Sequence, residues 1–420
     1  MADEMERGMH RERISFLYTS ISMNNNSLSD EFNGVPNGLQ CNKVFIERDT
    51  FLINKINNTE TRRLPKLYKW RDLLFSIFST VLFLADIVSD ILLALQYYRQ
   101  SETLLFQLTI SFIFIPSLFS FIINCVWNYM VYVEDLEKEE QECKISKKLL
   151  FFRVFTSLIQ LGRLFRNMEY MYYMVLSWKL KGTDKEIKMR LRAMEEKRDA
   201  CILGLIDGFM ESAMQLLLQL YLSFYHRLPA TFLRVVTLSL SLACTSWIHT
   251  AYYRHNRNSD VKKEKMGLRL AMVYWLCVLA ELSPRFLLLA AFGAYFMPWC
   301  FILPVAHFAL FMAFHCYTNP ELYGMCCCKA GKFLFLILCS YINIFCYINV
   351  TGGRTFYKRL LYYIFFYTEN VIMVSLVWYI TNGDKHIMFT MLIMPVGFLF
   401  HVLFLFLYYK LFHPNNRADL

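Results

Sequence analysis

Polar and apolar positions divide the chain into two regimes. Residues 1–72 mix Asn, Ser, Glu, Lys and Arg without sustained periodicity, and Met23-Asn24-Asn25-Asn26-Ser27 is polar and low in complexity. Beyond them, long apolar runs dominate at about 73–97, 103–132, 149–178, 201–226, 230–253, 268–296, 298–318, 333–350, 361–381 and 388–412. At a rise of ~1.5 Å per residue, about 20 residues of helix cross ~30 Å of hydrocarbon. The pattern predicts a cytosolic, largely disordered tail over 1–72, two membrane halves over 73–253 and 254–412, and a short cytosolic C-terminus over 413–420.

Flanking charge decides which runs cross. Arg62, Arg63, Lys66, Lys69 and Arg71 precede the first run and place that flank in the cytosol. The run 149–178 has Lys144, Lys147 and Lys148 before it and Lys179, Lys181, Lys185 and Lys188 after it, so both ends belong on one side. The run 333–350 is bounded in the same way by Lys329 and Lys332, then by Arg354, Lys358 and Arg359. Both read as segments that enter and return, which is tolerated when they are buried in protein. The expected fold is an all-α polytopic membrane protein with eight transmembrane helices plus two re-entrant helical hairpins, in two similar halves. Intramembrane charges support the duplication. Asp86 and Asp90 at i, i+4 match Glu281 and Arg285, and Glu211 matches Glu369.

Composition agrees: 56% hydrophobic and 19% charged residues exclude an ordinary soluble domain. The net charge of +10 then argues for basic loops on anionic lipid and against a nucleic-acid partner. The 13 Cys lie mainly in or beside apolar runs, so few or no disulfides are expected. Met1-Ala2-Asp3-Glu4 opens without a basic-then-apolar segment, so no cleavable signal is expected and the first membrane helix serves for insertion. No phosphate-binding Gly-Lys-Ser/Thr loop, GxSxG or HExxH occurs, which leaves no enzyme, cofactor or metal to expect.

The candidate chemistry is charge inside apolar runs. Asp207, Glu211, Gln215 and Gln219 recur every four residues and draw a polar stripe along one helix, opposite Leu, Met and Phe. Arg163 and Arg166 fall in the first hairpin, where a lipid-facing helix would hold each at a cost of roughly 2.5 to 3.5 kcal/mol. Two readings stand. These groups form buried ion pairs that lock the bundle, or they line a hydrophilic path for headgroups or ions. The excess of acids over arginines favours the path. Cys326, Cys327 and Cys328 beside Lys329 suit S-palmitoylation at a membrane border better than a zinc site. The sequons at Asn25, Asn57 and Asn349 fall on predicted cytosolic segments and should carry no glycan.

Several stretches resemble the XK-related family. Met210-Glu211-Ser212-Ala213-Met214-Gln215-Leu216-Leu217-Leu218-Gln219-Leu220-Tyr221 is similar to its glutamate-rich LESxPQLxLQLY motif, with Met214 where proline is usual. Leu84-Ala85-Asp86-Ile87-Val88-Ser89-Asp90-Ile91, Glu196-Lys197-Arg198-Asp199-Ala200, Ser246-Trp247, Glu281-Leu282-Ser283-Pro284-Arg285, Glu369-Asn370-Val371 and Phe412-His413-Pro414-Asn415 match in order over about 66–416. The resemblance implies eight spans and two hairpins, with Asp86, Asp90, Glu211 and Arg285 as intramembrane polar residues. It also implies ATP-independent phospholipid scrambling that exposes phosphatidylserine at the plasma membrane after caspase cleavage. Implied partners are membrane phospholipids, a caspase, and a single-span accessory subunit or a lipid-transfer protein. The chain stops at Leu420, without the long tail that carries C-terminal caspase control. Ile46-Glu47-Arg48-Asp49 is therefore the better candidate cleavage site and Asp30 the poorer one. The competing functions are a non-scrambling membrane scaffold, with the basic 179–200 segment as its docking face, and an ion or amino-acid transporter.

Overall fold

A computed structural model describes residues 70–137, 147–158, 161–226, 228–229, 231–259, 265–297, 299–318, 329–350, 356–382 and 385–408. The candidate cleavage sites Asp30 and Asp49 and the cysteines Cys326, Cys327 and Cys328 lie outside them. Contacts divide the chain into one unit of 1–64 with 324–332 and a larger unit of 65–323 with 333–420. Among the described residues the first unit holds only the start of one helix, and every other element belongs to the second.

The described elements are all helical apart from short connections. Long helices α1 (Trp70–Arg99) and α2 (Thr103–Glu137) are followed by a shorter pair, α3 (Lys147–Leu158) and α4 (Gly162–Lys179). This pair is the first expected hairpin. Its turn brings the chain so close to α2 that a Cβ on Gly162 would sit 2.7 Å from Ser157 Oγ and 2.8 Å from Asn124 Nδ2, and only glycine fits.

One long helix then runs through α5 (Asp184–Asp207), a π-helical turn at Gly208–Ser212 and α6 (Ala213–Tyr225). With Met214 in place of proline the backbone is α-helical at that position, and the irregularity falls one turn earlier. The wide π turn leaves carbonyls for side chains. Thr245 Oγ1 donates to Gly208 O at 3.2 Å and Tyr341 OH to Phe209 O at 3.0 Å.

The second part comprises α7 (Phe232–Ser259), α8 (Leu268–Phe296), a 3-10 turn into α9 (Ile302–Thr318), α10 (Lys329–Asn343), α11 (Phe356–Thr381) and α12 (Lys385–Phe406). Among the described residues, seven helices are long and apolar enough to cross a membrane, and Leu392–Phe406 of α12, within the eighth expected crossing, is a shorter apolar helix. The most apolar windows of Lys185–Tyr225 and Leu268–Phe296 are 78% buried, against 17% for Trp299–Thr318 and 22% for Thr103–Val126. The α5–α6 rod and α8 are therefore the core of the bundle, with α2 and α9 on its apolar exterior.

The second hairpin corrects the sequence reading. Only its first limb, α10, is helical, and Ile344–Val350 returns as non-helical chain, so the two hairpins differ in form. Non-helical backbone survives at this depth only if its polar groups are satisfied, and buried side chains do so. Arg285 Nε donates to Ile344 O at 3.0 Å, Tyr347 N donates to Glu281 Oε1 at 3.1 Å, Ile348 N to Asn343 Oδ1 at 3.0 Å, and Tyr362 OH to Asn343 O at 2.8 Å. His249 Nε2 lies 3.0 Å from Tyr347 O.

Candidate functional site: a polar track in the bundle core

The residues singled out in the sequence separate into three groups. The first joins the α3–α4 hairpin to α5. Arg153 bridges Glu169 and Glu196 at 2.8 and 2.7 Å, and Arg166 bridges Glu196 and Asp199 at 3.0 and 2.9 Å. Arg166 also donates to Asn124 Oδ1 and Asn128 Oδ1 of α2 at 2.7 and 3.0 Å. A guanidinium with this many acceptors is compensated where it stands. Arg166 thus belongs to a structural clamp, apart from Arg163, with which the sequence groups it.

The second group lies in the other half. Arg285 Nη2 meets Glu369 Oε2 at 3.0 Å, its Nη1 donates to Asn370, and its Cζ lies 4.8 Å from the Phe366 ring centre. His307 Nδ1 is 2.9 Å from Glu369, and Tyr363 OH donates to Glu281 Oε2 at 3.3 Å. Glu281 and Arg285 hold the non-helical limb of the second hairpin, and Glu369 holds Arg285. They are not brought together with Asp86, Asp90 and Glu211.

The third group lies between α1, α2, α4, the π turn and α7. Asp86 accepts from Ser212 Oγ at 2.6 Å and Ser241 Oγ at 2.9 Å, and Asp207 accepts from Ser120 Oγ. One turn along α1, Asp90 is 1% exposed and neither of its carboxylate oxygens meets a partner among the described residues. Glu211 is 5% exposed, and its Oε1 is likewise unpartnered. The cation beside Asp207 and Glu211 is Arg163. It lies over the Phe83 ring at 4.5 Å and against Gly204, where a Cβ would come within 3.1 Å of its Nε. Its Nη1 is buried without a hydrogen-bond partner. Arg163, Asp207, Glu211 and Ser120 line a common cavity of about 20 Å³. Further along the stripe Gln215 Nε2 donates to Thr109 O at 2.6 Å, and Tyr97 OH donates to Gln219 Oε1 while accepting from Arg234 Nη2.

The polar track therefore runs from Asp207 through Glu211 and Asp86 to Asp90, with Gln215 and Gln219 beyond. An uncompensated carboxylate costs many kcal/mol at low dielectric, so such groups persist where water or a polar ligand meets them. A sequence model of the XK-related proteins matches residues 74–414, most of the chain. The chain belongs to the XK-related family. It is 27% identical over 357 residues to XK-related protein 8 of Gasterosteus aculeatus, covering 83% of this chain and 85% of that relative. It is 26% identical over 381 residues to cell death abnormality protein 8 of Caenorhabditis briggsae, covering 86% of this chain and 82% of that relative. This XK-related chain is a multi-pass membrane protein, and Asp86, Asp90 and Glu211 of its track stand on the family-like stretches of α1 and of the π turn.

Sequence reasoning missed the hydroxyls of Ser120, Ser212 and Ser241, each on a different helix. Serine in an apolar helix usually returns its hydroxyl to its own backbone, as Ser117 does to Ile113 O, and so carries no signal of its own.

Proposed function

We propose that this XK-related protein is an ATP-independent phospholipid scramblase of the plasma membrane that exposes phosphatidylserine during regulated cell death. The observation that carries the proposal is the pairing pattern. Asp90 on α1 and Glu211 at the π turn keep unpartnered carboxylate oxygens, and Glu211 borders one cavity with Arg163, while the charges of the clamp and of the second hairpin are ion-paired. Polar headgroups passing along such a track recover part of the solvation they lose on leaving water, while their acyl tails stay in lipid. Similarity to a cell death abnormality protein supports placing the activity in cell death. Both termini in the cytosol, and cleavage after Asp49 as the trigger, belong to the same proposal.

The scaffold reading draws less support. Arg192, of the expected basic face formed with Lys181, Lys185 and Lys188, is paired with Glu195 and Glu196 of the same helix. Reconstitution in liposomes with fluorescent lipids, for the intact protein and for protein cut after Asp49, tests the proposal. Dye-accessible lipid should exceed the one-leaflet fraction in the cut form. The reading fails if neither form moves lipid, and ionic currents without lipid movement would favour a transporter.

A further inference from the structure

Next to the acidic cavity lies a second one, of about 20 Å³, also bordered by Phe83 and Arg163. Its lining is of opposite character. It includes Lys197, Asn167, Thr80 and Cys201, and none of its lining residues is a carboxylate. Lys197 is buried on α5. Its ammonium donates to Asn167 Oδ1 at 3.1 Å and Ser76 Oγ at 3.3 Å and stands 4.8 Å from the Tyr170 ring centre, all neutral partners. Among the described residues Lys197 makes no ion pair, unlike Arg153 and Arg166 one helix face away. Two cations thus border one small space. They repel each other, and each has lost hydration.

We propose that this cavity is a binding site for a single monatomic anion, chloride in the cell, held between Lys197 and Arg163. The space admits a water-sized occupant. One negative charge placed there offsets the repulsion and supplies the acceptor that a three-donor ammonium with two acceptors lacks. Asn167 cannot supply that role alone, because its Oδ1 already accepts from Ser76 Oγ at 2.6 Å as well as from Lys197 at 3.1 Å. The anion also meets Arg163, which borders the cavity of Asp207 and Glu211 as well. Its binding competes with those acids for the same guanidinium and so links anion occupancy to the charge of the track.

The test uses purified full-length protein in detergent micelles, with chloride exchanged for gluconate at constant ionic strength. Chloride-35 NMR should show excess line width that bromide displaces and gluconate leaves unchanged. Lys197→Met, of similar length and without charge, should abolish that excess, and the thermal unfolding temperature should rise with chloride in the parent but not in the variant. Monodisperse elution and an unchanged helical circular dichroism spectrum establish that the variant is folded. Equal line widths in the two proteins, or unfolding temperatures that ignore the chloride–gluconate exchange, would mean that Lys197 is neutral or simply solvated, and the proposal falls. Neither readout involves lipid movement, so this result stands apart from the fate of the scramblase reading.

Discussion

Asp90 and Arg166 are both 1% exposed, yet their surroundings are opposite. Arg166 is bonded to two carboxylates and two asparagine oxygens, whereas Asp90 meets none of the described donors. The two sites should therefore respond to mutation in different ways. Replacing Arg166 with Met leaves Glu196 and Asp199 short of a cation in a buried site, and loss of one partner from such a cluster costs ~3–5 kcal/mol. We expect poor folding yield and a markedly lower unfolding temperature, read by intrinsic fluorescence in detergent. Glu211→Gln removes an under-compensated charge while keeping the shape. Its unfolding temperature should hold or rise while scrambling in liposomes falls about tenfold, equivalent to ~1.4 kcal/mol in the barrier. An unfolding temperature that drops for Glu211→Gln as for Arg166→Met would show the acid to be part of the lock. At this scale the sequence displays the charges but not their company. Arg163 and Arg166 stand three residues apart on one short helix, yet one meets α5 acids and the other an aromatic face and a glycine.

At the scale of elements, helix type and extent follow from the apolar runs, and irregularities follow from neighbours. The run 201–226 reads as one regular helix, but Gly208 meets Ile248 so closely that a Cβ there would lie 2.7 Å from Ile248 Cδ1, and the local turn widens to π. The displaced carbonyl of Phe209 is then taken by Tyr341 from the second hairpin. Tyr341→Phe removes that donor and should lower stability by ~1 kcal/mol, with the loss confined to faster amide exchange around 208–213. Uniform acceleration across the whole bundle would contradict this local assignment. Gly162→Ala is the harsher change, because its Cβ meets Ser157 and Asn124 at distances that rigid neighbours cannot yield. We expect ~1–3 kcal/mol of destabilisation, seen as a lower unfolding temperature. Ile344–Val350 shows the limit of pattern reading. Its sequence is apolar enough for a helix, but Glu281 and Arg285 of α8, with Asn343 at the end of α10, bond its backbone and so relieve it of the need to be one.

At the scale of the whole molecule, the expected topology puts both termini on the cytosolic side. A cysteine introduced near residue 5 and one near residue 418 should be labelled by a membrane-impermeant maleimide only after cells are permeabilised. Labelling of either one in intact cells would overturn the eight-crossing arrangement. Here the sequence alone determined most of what is known. Apolar run length, basic flanks and scarce charge fix an all-helical multi-pass protein, because a membrane makes backbone satisfaction within each segment compulsory. The family-like motifs likewise stand in the sequence in order. Tertiary structure alone decided which buried charges cancel. The pairing of Arg166 with Glu196 and Asp199, of Arg285 with Glu369, and the unpartnered polar atoms of Asp90, Glu211 and Arg163 depend on which helices touch. The physical reason is that the cost of a buried charge is set by the atoms within a few ångströms of it, and those atoms come from helices tens to more than a hundred residues apart in the chain.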